Sequence, residues 1–122
     1  PFHAAAGAKA FLAFCSPPQQ KKLLGTRLRR LTENTITDLK RLRTEMDEIR
    51  RKGFAVDREE LDEGTMAVGV PVFYHDRGPI GAVVVAGPPQ RMTGKYRKSI
   101  VSSLKQTAKD ISIQFYSKNI PP

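Results

Sequence analysis

Gly53-Phe54-Ala55-Val56-Asp57-Arg58-Glu59-Glu60-Leu61-Asp62-Glu63-Gly64, with Met66 to Tyr74 behind it, is where the chain changes period. Upstream, Leu39, Leu42, Met46 and Ile49 recur at helical spacing, and Arg50-Arg51-Lys52 sits where the negative end of a helix dipole favours cations. Gly53 can take the left-handed conformation that closes that helix. Downstream the apolar residues alternate. Phe54-Ala55-Val56 starts a strand that runs into an acidic turn, and Met66, Val68, Val70, Val72 and Tyr74 line one face of the next. Pro71 inside that run signals an edge, a bulge or a break in the ladder. His75-Asp76-Arg77-Gly78 reads as a hairpin connection and Ile80 to Gly87 as the returning antiparallel strand. Pro88-Pro89 ends the sheet, and Tyr96, Ile100, Leu104, Ala108, Ile111 and Phe115 mark a long amphipathic helix to about residue 118.

Towards the start, Ala4 to Phe14 reads as a short buried helix. Ser16-Pro17-Pro18-Gln19 restarts the chain with a capping box and a proline in the first turn, opening a helix to about Leu24. Thr32 to Asp38 is a polar connection ending in cap candidates. Helices before and after a small antiparallel sheet make an α/β chain of the α+β kind, and 122 residues suit one domain.

Composition narrows the function. No run approaches the roughly 18 apolar residues of a membrane-spanning helix, and the opening residues lack a basic stretch followed by a cleavable apolar one. A single cysteine, Cys15, excludes an internal disulfide and suits the reducing cytoplasm. The chain opens on Pro1-Phe2-His3 without an initiator methionine, which reads as a fragment of something longer. The net charge of +9 is uneven: residues 1–56 carry +7, residues 57–94 carry −3 and residues 95–122 carry +5. The clusters Lys21-Lys22, Arg27 to Arg30, Lys40 to Arg43 and Arg50 to Lys52 have no interleaved aromatics that would stack bases, so they read as a solvated basic face rather than a nucleic-acid groove.

Chemistry-bearing groupings are sparse. Strand alternation puts Asp57 and Glu59 on one face and Arg58 and Glu60 on the other, so this carboxylate block does not converge as an acid-base site. His3 and His75 lie far apart and Cys15 has no neighbouring ligand type, so neither metal nor cofactor is expected. Cys15 ends an apolar helix, where a small buried residue is the natural reading. A basic nucleic-acid-binding module, with Arg27 to Arg30 and Arg50 to Lys52 on one face, and a small acid-base enzyme stay open as alternatives to a sensor.

His3-Ala4-Ala5-Ala6-Gly7-Ala8-Lys9-Ala10, Thr32, Thr35-Ile36-Thr37-Asp38 and the Gly53 to Gly64 block resemble successive motifs of the effector-binding domain of IclR-type bacterial transcription regulators. Ala67 to Phe73 and Ala82 to Pro88 continue the likeness, and the last helix has the family's place, so nearly the whole chain is covered. The resemblance implies a GAF-like antiparallel sheet flanked by helices, truncated at its N-terminal side. Residues 1–122 would be one partial effector-binding domain, without the winged helix-turn-helix domain through which such regulators meet operator DNA. It further implies a small carboxylate effector, association as dimer or tetramer, and a cytoplasmic protein.

In relatives that bind small keto acids the resemblance places the ligand carboxylate at positions matching Ala6 and Gly7, at a helix start whose free amides and dipole suit an anion. Asp57, Ala67, Val84 and Ala86 match the opposite wall. Some relatives carry cysteine at the position of Ala67 and serine at those of Val84 and Ala86. The loss of a thiol and two hydroxyls implies a weakly polar or aromatic acid here. Read without the family, Ala6-Gly7-Ala8 serves close packing as well as anion binding, and Asp57 is a strand-end carboxylate.

Overall fold

The computed structural model describes residues 1–75 and 77–119. Helix α1 spans Ala6–Ala13, α2 Pro17–Leu24 and α3 Leu39–Lys52; strands β1 Ala55–Arg58, β2 Met66–Phe73 and β3 Pro79–Gly87 follow; a short 3-10 turn at Pro89–Arg91 leads into α4, Gly94–Asn119. The strands form one antiparallel sheet in the order β1-β2-β3, the α+β arrangement that the change of period predicts.

Local signals set the boundaries. Ser16 Oγ accepts the Gln19 amide at 3.4 Å while Gln19 Oε1 accepts the Ser16 amide at 3.2 Å, the reciprocal cap expected of α2. Asp38 caps α3 through the Lys40 amide, and Gly53 closes it at φ 82°. The hairpin turns through His75 (φ 54°) and Gly78 (φ 99°), with Tyr74 N–H donating to Gly78 O; Asp76, part of the predicted connection, lies outside the described residues.

The sheet has two unlike faces. Val56, Val68, Val70 and Val72 pack against Leu104 and Ala108 of α4. The opposite face, with Ala55, Ala67, Gly69 and Ala82, carries α1, and a second core joins α1 and α3 through Ala10, Leu12, Ala13, Leu42, Met46 and Ile49. Small residues on this face let α1 lie almost on the strands. An ideal Cβ at Gly69 would stand 2.7 Å from Ala6 C and O and 2.8 Å from Gly7 N. Main chain of α1 therefore touches main chain of β2.

Pro71 sits in the central strand, yet at a local edge. The β1 ladder reaches β2 only as far as Ala55 opposite Gly69. Since Tyr74 N–H bonds on the β3 side, alternation turns the main chain of Phe73 and Pro71 the other way, where β1 has ended. A proline there forfeits no ladder bond. Phe73 O finds its partner in Ser112 Oγ of α4, and the ladder to β3 shifts register between Val72 and Phe73.

One expectation is overturned. Alternation does not run through the acidic block, because β1 stops at Arg58 and Glu59 turns the chain at φ 57°. Glu60 is thereby carried inward on the side of Asp57 instead of opposite it, and both are buried.

Candidate functional site

α1 begins without a side-chain cap: Ala5 stands at the N-cap position and offers no acceptor. The first-turn amides, those of Ala6 and Gly7 among them, have no carbonyl one turn back within the helix. This start is pressed onto the small face of the sheet. An ideal Cβ on Gly7 would meet Val84 Cγ2 at 2.7 Å and Ala82 Cβ at 3.5 Å, so the Val84 side chain lies directly against the helix start.

The other predicted residues form the neighbouring row, since Asp57 is the register partner of Ala67 and Ala67 of Ala86. With Ala55, Gly69 and Val84 in the adjacent row, the structure gathers all six predicted positions on one face, four of them on strands and two on the helix above. Ala6, Asp57 and Ala67 are buried, whereas Ala86 is exposed and Val84 is 47% exposed. The shelf opens on the β3 side. It offers amides and alkyl groups, with no hydroxyl or thiol at Ala67, Val84 or Ala86.

Asp57 has local work. Its Oδ1 accepts the amides of Glu60 at 2.7 Å and Leu61 at 3.3 Å, closing the turn at the end of β1. Burial pushes its pKa above the usual carboxylate value, against the two amides and the nearby Lys9, which pull it down.

Beneath the shelf lies a buried ion cluster that the sequence reading missed. Lys9, in the middle of α1 and 0% exposed, donates from Nζ to Glu60 Oε1 at 2.7 Å and Val56 O at 2.8 Å, with Glu45 Oε1 of α3 at 3.5 Å. Glu60 Oε2 accepts the Arg58 amide at 2.9 Å. The main-chain oxygen of Glu60 accepts Thr35 Oγ1 at 2.6 Å, and Thr35 Oγ1 in turn accepts the amides of Leu31 and Thr32. Thr32 Oγ1 donates to Glu59 O at 2.6 Å. The polar Thr32 to Asp38 connection is thus a buried hydrogen-bond plug at its start. Lys9 binds α1, β1, the acidic turn and α3 together, and a charge so buried is tolerated because its partners are all supplied. Its one sequence signal is a lysine on the apolar side of a helix, one turn before Leu12 and Ala13.

Part of the basic charge is taken up within the fold. Arg30 donates to Thr32 O and Glu33 O, Arg50 to Ala13 O and Asp47, and Arg51 and Lys52 both pair with Glu48. These interactions suit a solvated basic face. The Cys15 thiol donates to Phe11 O at 3.4 Å, and burial pushes its pKa up, the opposite of what a nucleophilic thiolate needs. His3 is buried, donating from Nε2 to Arg29 O at 2.7 Å. No helix among the described residues is long and apolar enough to cross a membrane.

Comparison with known proteins agrees with this arrangement. The family described as bacterial transcriptional regulator IclR, C-terminal, matches residues 1–113. The HTH-type transcriptional regulator Rv1719 of Mycobacterium tuberculosis is 44% identical over 98 residues, 78% of this chain and 36% of its own length. The Thermotoga maritima IclR crystal structure superposes with a TM-score of 0.88 at 34% identity, covering 94% of this chain and 47% of that one. A double mutant of the Acinetobacter PobR inducer-binding domain, in complex with 3-hydroxybenzoic acid, gives 0.82 at 26% identity, over 92% of this chain and 65% of that one. The chain spans less than half the length of curated relatives such as Rv1719 and Escherichia coli KdgR.

Proposed function

Because the chain belongs to the IclR family of bacterial transcriptional regulators, as part of its C-terminal domain, we propose that it is the effector-sensing and oligomerising part of such a regulator, cytoplasmic in location. It is a regulator's domain and not an enzyme, as the names of its relatives indicate. Residues 1–122 are one partial effector-binding domain, and operator DNA is met through a winged helix-turn-helix domain elsewhere in the polypeptide.

The effector is a small, weakly polar carboxylate of the aromatic or branched type. The observation that carries this reading is the contact of Val84 with the α1 start. A carboxylate placed on the Ala6 and Gly7 amides would have its remainder against Val84, Ala86 and Ala67, which offer no hydrogen bonds. A polar body there would lose about 1–3 kcal/mol for each group left unpaired, while apolar surface would gain roughly 25 cal/mol per Å² covered. The double mutant of the PobR inducer-binding domain, in complex with 3-hydroxybenzoic acid, supports an aryl acid. Asp57 contributes by holding the turn under this wall.

Thermal-shift screening of the full-length regulator against aromatic and branched acids, with glyoxylate and pyruvate alongside, tests the reading, since a ligand bound only by the native state raises stability by mass action. Stabilisation by an apolar acid that is lost in a folded Gly7→Val variant is the expected result. Tight binding of glyoxylate with no response to apolar acids would refute it.

A further inference from the structure

The cleft at the other end of α1 is a second candidate for a ligand. Where β1 stops, the edge of β2 at Pro71 and Phe73 is left uncovered, and Phe14 after α1 and side chains of α4 border an open cleft of about 350 Å³ there. The walls are apolar: Phe14, the residue after α1, meets Phe73 edge-on with ring centroids 5.0 Å apart, and Ala108 and Ile113 of α4 face them. Its size falls at the lower end of small-molecule pockets. The lining charges are both positive. Lys105 and Lys109 lie one helical turn apart on α4, in a segment of net charge +5. Lys105 is held ready, its Nζ donating to Lys52 O at 2.8 Å and standing 5.8 Å from the centre of the Phe54 ring. Neither lysine forms an ion pair among the described residues.

We infer that this cleft is a second, separate site for a small aromatic carboxylate, its ring against Phe14 and Phe73 and its carboxylate between Lys105 and Lys109. An aromatic body fits because the wall is an edge-to-face ring pair that a third ring can extend. A negative head fits because two ammonium groups share the rim and neither is neutralised by a carboxylate. The Pro71 nitrogen carries no hydrogen, so no amide donor at that position is left unpaired when the ring covers it. The inference stands apart from the effector reading, which concerns the opposite end of α1 and the β3 side of the sheet.

The test is titration of the full-length regulator with 2-naphthoate, followed by methyl NMR. Saturable shifts at Ala108, Ile113 and Val70 are expected, with a midpoint of their own whether or not Val84 and Ala86 also move. The Lys105→Ala/Lys109→Ala variant, shown to be folded by circular dichroism, should bind about fivefold more weakly, as should neutral 2-naphthylmethanol on the unaltered regulator. Ile113→Glu, at a 55% exposed position, puts a carboxylate beside the site and should weaken binding too. Shifts confined to Val84 and Ala86 would overturn this inference while supporting the effector site. Absence of saturation, or affinity indifferent to both lysines, would overturn it and leave the effector reading untouched.

Discussion

Replacing Gly69 by alanine tests the close approach of α1 on which the shelf depends. Gly69 has no positive φ, so alanine is unstrained there and should gain about 0.4–1 kcal/mol through the lower entropy of the unfolded chain. Against this, the new Cβ would stand 2.7 Å from Ala6 C and O. Ordinary contact distances require the helix start to retreat by about 0.7 Å, and overpacking of this sort costs roughly 1–3 kcal/mol. The neighbours are main-chain atoms, anchored a turn further on by the buried Lys9, so no rotamer change relieves them. The net expectation is a loss of about 1–2 kcal/mol, or a fall in Tm of roughly 3–5 °C per kcal/mol for a domain of this size. Gly7→Ala supplies the contrast. Its Cβ also meets an atom at 2.7 Å, but that atom is Val84 Cγ2, on a half-exposed side chain that can turn away. Val84→Ala should therefore rescue Gly7→Ala and leave Gly69→Ala as unstable as before. Urea unfolding of the four variants measures both effects. Wild-type stability in Gly69→Ala, or its rescue by Val84→Ala, would refute the backbone contact.

Three further outcomes are expected. Lys9→Met should cost about 3–5 kcal/mol in urea unfolding by leaving Glu60 buried without its cation, and Lys9→Met/Glu60→Leu should recover most of that; equal instability of single and double variants would show that the pair itself is not at issue. Asp57 has a raised pKa in the folded state, so the folded form holds its proton more tightly; its contribution is full below the ordinary carboxylate value near pH 4 and falls as pH rises through the raised value. In stability-pH curves this downward component should be missing from Asp57→Asn, whose amide oxygen can still accept the Glu60 and Leu61 amides; superimposable curves would contradict it. Self-association through the open β3 edge, with Val84 and Val85 partly exposed, should tighten from low salt to about 0.5 M as the +9 charge is screened, whereas dissociation with salt in sedimentation runs would mean that ion pairs hold the assembly.

The elements were legible because their signals are local. The Ser16 box, the Asp38 cap, Gly53 and the alternation of Met66 to Phe73 each act within a few residues, and the structure follows them. Even the odd residue, Pro71, announced an edge, although only the early end of β1 explains how a central strand has one. What escaped was long-range. Lys9 meets Glu60 from 51 residues away and Thr35 meets it from 25, and a period of two says nothing of such partners once Glu59 bends the chain. Extending strand alternation past Arg58 put Glu60 on the wrong side for that reason. The cleft beside Phe73 was equally unreadable, because it arises where one strand stops and side chains from opposite ends of the chain border the gap.

The six shelf positions do not bear equally on effector chemistry. Ala6 and Ala67 would be small whatever the ligand, because both are buried where α1 lies on the strands, whereas Gly7 faces only the side chains of Val84 and Ala82. The size of Ala6 and Ala67 follows from packing and carries no information about what binds. Asp57 is likewise accounted for by the turn it closes. Val84 and Ala86 differ: both stand on β3, beyond the main-chain contact of α1 with β2, where serine would fit without lifting the helix. Contact with α1 does not demand an alkyl group at either of them. A lining that is apolar where contact with the helix does not demand it is the part of the shelf that speaks for an apolar ligand, and the case for an aromatic or branched acid rests on Val84 and Ala86 more than on the helix start.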